Sequence, residues 1–413
     1  MIQCLESGRD SGPDGAQNGM IIMTSHHNFK RESVLTRSLV GGLIFVSMCI
    51  LLVGCSRIGT PQGWSSGSVS GDSLFIGTME GELLSLDKNT GDVFWRRQIP
   101  TDEDTDRAIY GRPAVTDSAV FVGGYEGSLY AYDRQGDLLW QEPLPGKIVG
   151  GPTVDANRIL IGTGNVSSAD GSGGALHAID IESNDPVWTY HTDGPVWSTP
   201  AVANGVVLVG TLDHSVYAVN SEDGSEKWRF KSGGAVTSGI VVAEGRAVFG
   251  SFDGTLYALD VESGNLVWRF DGASNWYWSA PLIVDGVVYA PSLDGNLYAL
   301  DIDTGDLSWV FDTEGGQLVG SPAVINELLA VPVADGGDSR IELLEPNGSR
   351  VSDCATKSDV RTSIEVDGDL IYFGANDSTI RALRVKASGN PDEEWVIVTN
   401  EDDPHPSGRS PDC

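Results

Sequence analysis

An all-β fold built from repeated four-stranded units is predicted by three observations in the sequence. Residues 253–270 combine a small-residue turn, an alternating apolar strand, an Asp, a Gly turn and a second strand that carries Trp268. The same pattern returns at intervals of roughly forty residues, a period typical of propellers and other stacked arrays. Each unit also has an upstream pair of short strands joined by a turn such as Asn204-Gly205, and long amphipathic helical periodicity is absent.

The number of units follows from the recurring Trp. A degraded copy at residues 341–348 places Ser352 in the Trp position, which brings the count to eight. One twisted four-stranded sheet leaves both its faces uncovered, so we expect neighbouring sheets to pack face to face and close an eight-bladed β-propeller of antiparallel blades over residues 65–400. We expect the Trp side chains to pack between blades and to have no catalytic role: Trp95, Trp140, Trp188, Trp228, Trp268, Trp309 and Trp395.

The repeat also carries a family resemblance. The pattern Gly-x-Leu-Tyr-Ala-Leu-Asp-x-x-x-Gly-x-x-x-Trp-x-Phe stands almost intact at 254–270 and 295–311, and it resembles the pyrroloquinoline-quinone-like (PQQ-like) eight-bladed propeller repeat. The resemblance is specific for fold. It implies less about function, because the family includes quinoprotein alcohol dehydrogenases, outer-membrane assembly lipoproteins of the BamB type, and sensor domains.

The first part of the chain reads as an export signal. Basic residues around Lys30 and Arg37 precede an apolar run at 39–53, which is too short for a good membrane span, and the run ends in Gly54-Cys55. The ending resembles a bacterial lipobox. We therefore expect residues 1–54 to be an N-terminal extension and signal peptide, Cys55 to be the lipid-attachment site, 55–64 a tether and 401–413 a polar tail, with the protein anchored on the extracytoplasmic side of a membrane.

Charge and cysteine content restrict the partners. The chain has 58 acidic and 26 basic residues, a net charge of −32, which repels phosphate backbones and argues against a nucleic-acid partner. The acidity either serves solubility or recruits basic partners or divalent cations. Five cysteines do not form a disulfide framework at this length, and a Cys354–Cys413 pair or two free thiols both remain open.

Irregular insertions predict a binding face. In a blade that runs outward from the hub, the second-to-third-strand loops and the inter-blade connectors emerge on one side, and the irregular segments 101–109, 164–174, 271–277 and 334–339 all fall there. Connectors also bring non-repeated residues such as Lys147 and Gln317 near the central channel. The candidate binding residues on this face are Arg112, Trp197, Trp276, Tyr277, Trp278 and Arg361.

These features favour a binding protein over an enzyme. Quinone dehydrogenases of the resembled family need a calcium site of Glu, Asn and Asp, a catalytic Asp and usually a vicinal Cys-Cys pair, and this sequence has no such pair. The acidic run at 102–106 lacks the fixed spacing of a calcium loop, and no His joins a Ser or Cys constellation. We therefore predict a monomeric, non-enzymatic scaffold without cofactor or metal that binds an envelope protein, similar to BamB; the alternatives are a PQQ-dependent dehydrogenase and a glycan- or ligand-binding sensor.

Overall fold

Eight antiparallel sheets of four consecutive strands make up nearly all of the structure. The computed structural model describes residues 65–78, 80–100, 107–164 and 173–399. Within these ranges the helical element is one 3₁₀ turn, Gly336–Asp338. No helix in the described ranges has the length and apolar character needed to cross a bilayer. The predicted all-β, eight-bladed architecture is confirmed.

The strands are short and follow one another from the hub to the rim of each blade. The first four blades are β1 (Ser68–Ser70), β2 (Ser73–Gly77), β3 (Glu82–Asp87) and β4 (Val93–Gln98); β5 (Ala114–Val115), β6 (Ala119–Gly123), β7 (Ser128–Asp133) and β8 (Leu138–Pro143); β9 (Thr153–Asp155), β10 (Arg158–Gly164), β11 (Gly174–Asp180) and β12 (Pro186–Thr192); β13 (Ala201–Ala203), β14 (Val206–Gly210), β15 (Ser215–Asn220) and β16 (Glu226–Lys231).

The second half of the ring repeats this arrangement. Its blades are β17 (Val241–Ala243), β18 (Arg246–Gly250), β19 (Leu256–Asp260) and β20 (Leu266–Phe270); β21 (Leu282–Val284), β22 (Val287–Pro291), β23 (Asn296–Asp301) and β24 (Leu307–Asp312); β25 (Ala323–Ile325), β26 (Leu328–Val333), β27 (Arg340–Leu344) and β28 (Arg350–Ala355); β29 (Glu365–Asp367), β30 (Leu370–Ala375), β31 (Thr379–Val385) and β32 (Pro391–Val398).

The ring closes by side-chain packing between the first and eighth blades. Each sheet contains only its own four consecutive strands, so no described strand crosses from one end of the chain to complete the last blade. The inner strands β1 and β29 contact each other, and buried residues of both blades form one apolar cluster that includes Trp395. Polar contacts reinforce the junction: Glu365 Oε1 accepts hydrogen bonds from Val69 N at 3.1 Å and Arg112 Nη2 at 2.7 Å.

The repeated Trp joins each blade to the next one. Every Trp indole in this position donates its Nε1–H to a backbone carbonyl in the third-to-fourth-strand turn of the following blade, at 2.7 to 3.3 Å. In the seventh blade, Ser352 lies opposite Leu343 in the register that other blades give to Trp, and its hydroxyl donates to Gly389 O. The polar link therefore persists where the large ring is lost.

The Gly of the same turn is required by the Trp ring. Gly264 has a φ of +70°, and a Cβ built there lies 2.4 Å from Trp228 Cδ2. Corresponding glycines face Trp95, Trp188, Trp268, Trp309 and Trp395 in the same way. The third blade departs from this rule: Asn184, also in the left-handed region, occupies the turn, and its side-chain amide reaches Glu142. A flat indole against a bare backbone thus sets the distance between blades.

The repeated Asp holds this turn closed. Asp301 Oδ1 accepts hydrogen bonds from the backbone N–H groups of Asp303 at 3.0 Å and Thr304 at 2.9 Å. These backbone donors lower the pKa of the Asp301 carboxyl, and Ser263 does the same at Asp260. The carboxylates on this side of the ring therefore serve as turn acceptors.

One buried position on each third strand varies in chemistry. It precedes the residue that pairs with the Trp position, and it holds Tyr in four blades. In the seventh blade the fully buried Glu342 takes this place and bonds Arg350 Nε at 2.6 Å. The position is held by Leu84, Tyr130, His177, Tyr217, Tyr257, Tyr298, Glu342 and Arg381.

Replacing Gly264 with Ala is expected to destabilise the ring more than the same change at Gly245. Both glycines have positive φ, but Gly245 has nothing within 4 Å of an added Cβ. The left-handed strain of roughly 1 kcal/mol is common to both variants, while overpacking against Trp228 adds about 1–3 kcal/mol at Gly264 only. Urea unfolding of the two variants measures the difference, and equal losses would show that the indole contact does not set blade spacing.

The buried His177 is expected to make stability pH-dependent. Its ring nitrogens lie 3.1 Å from Thr163 Oγ1 and 3.2 Å from Thr189 Oγ1, and burial, aided by the charge of His191, lowers the pKa of His177 from 6.5 to about 4. The unfolded chain binds the proton more readily, so this contribution is complete above pH 6.5 and is lost as pH falls toward 4.

A His177→Gln variant, which keeps polar atoms but does not titrate, isolates this effect. Between neutral pH and a pH just above 4, the wild type is expected to lose roughly 2 kcal/mol more unfolding free energy than the variant. Urea unfolding at the two pH values gives the double difference. The same loss in both proteins would assign the acid sensitivity to other groups.

Candidate functional site

The described parts of the inter-blade connectors and second-to-third-strand loops lie on one side of the ring, here named the loop face. This follows from the strand order, because each chain segment leaves the second and fourth strands in the same direction. Backbone pairing between the two kinds of segment supports it: Lys147 pairs with Gly164, Val196 with Thr211, and Gln317 with Ala334. The opposite side, the turn face, carries the short hairpin turns.

Two of the predicted irregular segments are described. Residues 271–277 form part of the connector between the fifth and sixth blades, and residues 334–339 form the second-to-third-strand loop of the seventh blade, with the 3₁₀ turn inside it. The segments 101–106 and 165–172, most of the other two predicted insertions, lie outside the described residues. Cys55 lies outside them as well.

The connectors alternate between inward and outward side chains. Val196 packs so closely on Gly162 that a Cβ there would lie 2.4 Å from Val196 Cγ1, and Ser198 Oγ accepts from Gly210 N at 2.8 Å. Trp197, between them, therefore points to the opposite side of the extended connector. The equivalent position in the described connectors holds Tyr110, Val149, Trp197, Thr237, Trp278, Val319 and Arg361.

Three aromatic rings form a stacked group on the loop face. The Phe252 ring lies parallel to Trp276, with centroids 4.6 Å apart and an interplanar angle of 7°. It also stacks on Trp278 at 5.5 Å and 20°. All three side chains are half-buried, and the Trp rings rest on the buried residues Leu293, Val319 and Ala334. Phe252, Trp276 and Trp278 are named the aromatic platform.

Tyr277 is separated from its two neighbours and does not belong to this surface. It is only 1 % exposed, and its Cβ lies 2.1 Å from a Cβ added at Gly250. Burial raises the pKa of its phenol far above the usual range. Extended backbone alternates side chains, so the residue between two outward Trp side chains must point into the blade. The structure therefore places Tyr277 inside the blade, apart from the two Trp residues with which it was grouped from the sequence.

The other predicted residues occupy mixed environments on the same face. Arg112 joins the ring junction through Glu365 and also donates to Ser68 Oγ at 2.8 Å. Arg361 is exposed and pairs with Asp359 at 2.9 Å. Trp197 is only 9 % exposed, and its indole N–H has no hydrogen-bond partner among the described residues. Arg112 is thus bonded to the ring junction, and its side chain is exposed like that of Arg361.

Sequence reasoning missed two aromatic residues of the loop face. Phe252 and Tyr125 follow the second strand of their blades, in a loop that otherwise looks like part of the repeat. Tyr125 packs edge-on against Tyr110 at 5.3 Å and lies under Lys147 Nζ at 4.6 Å. The sequence did contain a signal for Phe252 and Tyr125, because both are aromatic where the equivalent residues of other blades, Leu212 and Leu293, are aliphatic.

The described residues include one disulfide-bonded cysteine and no cluster of metal-ligating side chains. Among residues 65–78, 80–100, 107–164 and 173–399, no three His, Cys, Asp or Glu side chains come together in a way that could hold a metal ion. Cys354 is buried in β28 and disulfide-bonded, which excludes a free thiol there. The other cysteines of the chain lie outside the described residues.

Known proteins resemble this chain in sequence and in fold. An outer membrane protein assembly factor BamB from Nitrosomonas eutropha is 24% identical over 30% of this chain and 27% of its own length. A quinohemoprotein alcohol dehydrogenase, ADH IIB, from Pseudomonas putida is 36% identical over 17% of this chain and 11% of its own length. The matched segments thus span about a quarter or less of these relatives.

A solved structure supports the fold over a longer range. The crystal structure of BamB from Moraxella catarrhalis matches with a TM-score of 0.61 and 20% identity, covering 75% of this chain and 90% of that one. The family model described as "Outer membrane protein assembly factor BamB" matches residues 101–173, 126–238 and 213–351. Because these matches together cover more than half of the sequence, the chain belongs to the PQQ-repeat propeller family described as outer membrane protein assembly factor BamB.

Proposed function

We propose that this protein is a non-enzymatic, lipid-anchored scaffold of the cell envelope that binds a protein partner through its loop face during outer-membrane protein assembly. The observation that carries the proposal is the aromatic platform, in which Trp276 and Trp278 stack on Phe252 while remaining half-exposed. Partly exposed aromatic groups over an apolar base are typical energetic centres of protein interfaces.

Family membership and the leading segment support the same function. The matching family model and the Nitrosomonas eutropha relative are both named for assembly of outer membrane proteins. The apolar run at 39–53 and Cys55 fit export and lipid attachment, which would keep the propeller at a membrane surface. In this view the blades supply a rigid ring, and only the loop face takes part in recognition. The ring acts as a monomer.

The quinoprotein relative favours a second candidate, a PQQ-dependent dehydrogenase. Among the described residues, no three His, Cys, Asp or Glu side chains come together as ligands, so the structure supplies no acidic cluster for calcium there. No catalytic step is therefore assigned to this chain. A direct test is to incubate the purified protein with PQQ and calcium. The scaffold function predicts no bound-quinone absorbance and no alcohol-dependent dye reduction, and saturable quinone binding with turnover would replace it.

Site-specific photo-crosslinking tests the scaffold function in native membranes. A photoreactive residue at Asp271, an exposed residue of the connector that carries Trp276 and Trp278, is expected to give one discrete adduct with an envelope assembly protein, identified by mass spectrometry. The matched control carries the probe at Glu182, an exposed residue on the turn face, and is expected to give none. Equal adducts from both positions, or none from Asp271, would contradict docking through the loop face.

Removing the platform should weaken docking without unfolding the ring. In the Trp276→Ala/Trp278→Ala variant, the adduct from position 271 is expected to fall about tenfold, the size of a hot-spot loss. Because both rings are half-buried on the surface, the free energy of unfolding should drop by no more than about 2 kcal/mol. Urea unfolding of the same variant provides the control. A much larger loss of stability would assign these residues to packing.

A further inference from the structure

The base of the aromatic platform is built from three consecutive blades. Phe252, Leu293 and Ala334 each follow the second strand of their own blade, and Trp276 and Trp278 pack across Leu293 and Ala334. In each blade the next residue is an aspartate. The platform is therefore bordered by Asp253, Asp294 and Asp335, one from each of the fifth, sixth and seventh blades.

The loop and connector segments around the platform contain only acidic charged residues, and Arg269 and Arg340 in the adjoining strands pair with Asp271 at 3.3 Å and Asp335 at 3.9 Å. Segments 251–255, 271–281, 292–295, 313–322 and 334–339 contain six carboxylates and no Lys, Arg or His. Elsewhere on the loop face, connectors do carry basic residues, including Lys147 and Arg361. The six acids are Asp253, Asp271, Asp294, Glu314, Asp335 and Asp338.

Two of these carboxylates are held in place but keep their charge unpaired. Asp253 Oδ2 accepts from Gly233 N at 2.8 Å and from the Tyr257 hydroxyl at 2.7 Å. Asp294 Oδ2 accepts from Ser274 N and the Tyr298 hydroxyl, both at 2.8 Å. Neither carboxylate forms an ion pair with any residue in the described ranges. Fixed, uncompensated negative charge next to an exposed ring favours a cation.

We propose that the aromatic platform and its carboxylates form a receptor for an arginine-bearing segment of the partner protein. This inference rests on the proposed scaffold function and names the chemistry that the loop face recognises. A guanidinium is flat, stays charged and is weakly hydrated, so it stacks on the open surface of Trp276 or Trp278 while a neighbouring carboxylate accepts its N–H groups. A lysine offers the charge without the stacking plane. A neutral glycan gains nothing from the acidic border.

Binding of labelled peptides to the purified propeller tests the inference. The probe is a short fluorescein-labelled Gly-Ser peptide with several arginines, compared with otherwise identical lysine and glutamate peptides by fluorescence anisotropy. We expect the arginine peptide to bind several-fold more tightly than the lysine peptide. The glutamate peptide should not bind. Trp276→Ala/Trp278→Ala should weaken arginine-peptide binding about tenfold.

A charge-matched control separates the receptor from the general acidity of a chain with a net charge of −32. Asp253→Asn removes one of the unpaired carboxylates, next to Phe252 of the platform, and Glu182→Gln removes one from the turn face. Only the first should reduce affinity for the arginine peptide. Equal effects of the two changes, or arginine-peptide binding that survives loss of both Trp side chains, would show that the peptide responds only to the net charge of the protein. Either result would overturn the inference.

The outcomes also distinguish this inference from the scaffold function. A crosslinked partner that depends on the platform, combined with no preference for the arginine peptide, would keep the scaffold and refute cation recognition. Saturable binding of cellohexaose at the platform, without arginine-peptide binding, would show that the platform is a glycan-binding site and would refute cation recognition. A positive peptide result with no crosslinked envelope protein would keep cation recognition and refute the assembly role.

Discussion

The contact between each Trp indole and the Gly turn of the next blade is the constraint on which the rest of the structure depends. A four-stranded sheet in isolation leaves its apolar faces in water, and here each face is covered by a neighbour only if the two sheets approach closely. The Trp228 indole sets this distance in two ways. It fills the space where Gly264 has no side chain, and it donates its N–H to Val261 O at 2.9 Å. Because the contact repeats around the ring, the stability of each blade depends on both neighbours.

The two faces of the ring differ in how much sequence change they can accept. The Trp contacts and the Asp-bonded turns lie together on the turn face and the rim, so insertions there would disturb blade spacing directly. Loops on the loop face connect strand ends that lie away from the Trp contacts, so their length and sequence can vary without breaking the contact between blades. The eighth blade keeps the same interaction, since Trp395 donates to Lys88 O of the first blade and so closes the ring.

The sequence predicted the features that repeat and missed those that depend on three-dimensional neighbours. Blade number, strand order and the place of Ser352 follow from a period, because identical local patterns fold to identical local structures. The partnership of Arg112 with Glu365 joins residues 253 positions apart in sequence, and no local pattern encodes it. The same holds for Phe252. Its stacking on Trp276 depends on how two loops from separate parts of a blade meet.

Exposure was the property hardest to derive from sequence at the candidate site. Residues 276–278 read as one aromatic cluster, yet extended backbone turns Tyr277 into the blade and leaves its neighbours outside. Its phenol is buried without a described hydrogen-bond partner, a cost that apolar packing against Gly250 must offset. By holding Tyr277 inside, the fold fixes the backbone on both sides of it. Trp276 and Trp278 are thereby presented as a rigid pair over an acidic border, which lowers the entropy cost of recognising a planar cation.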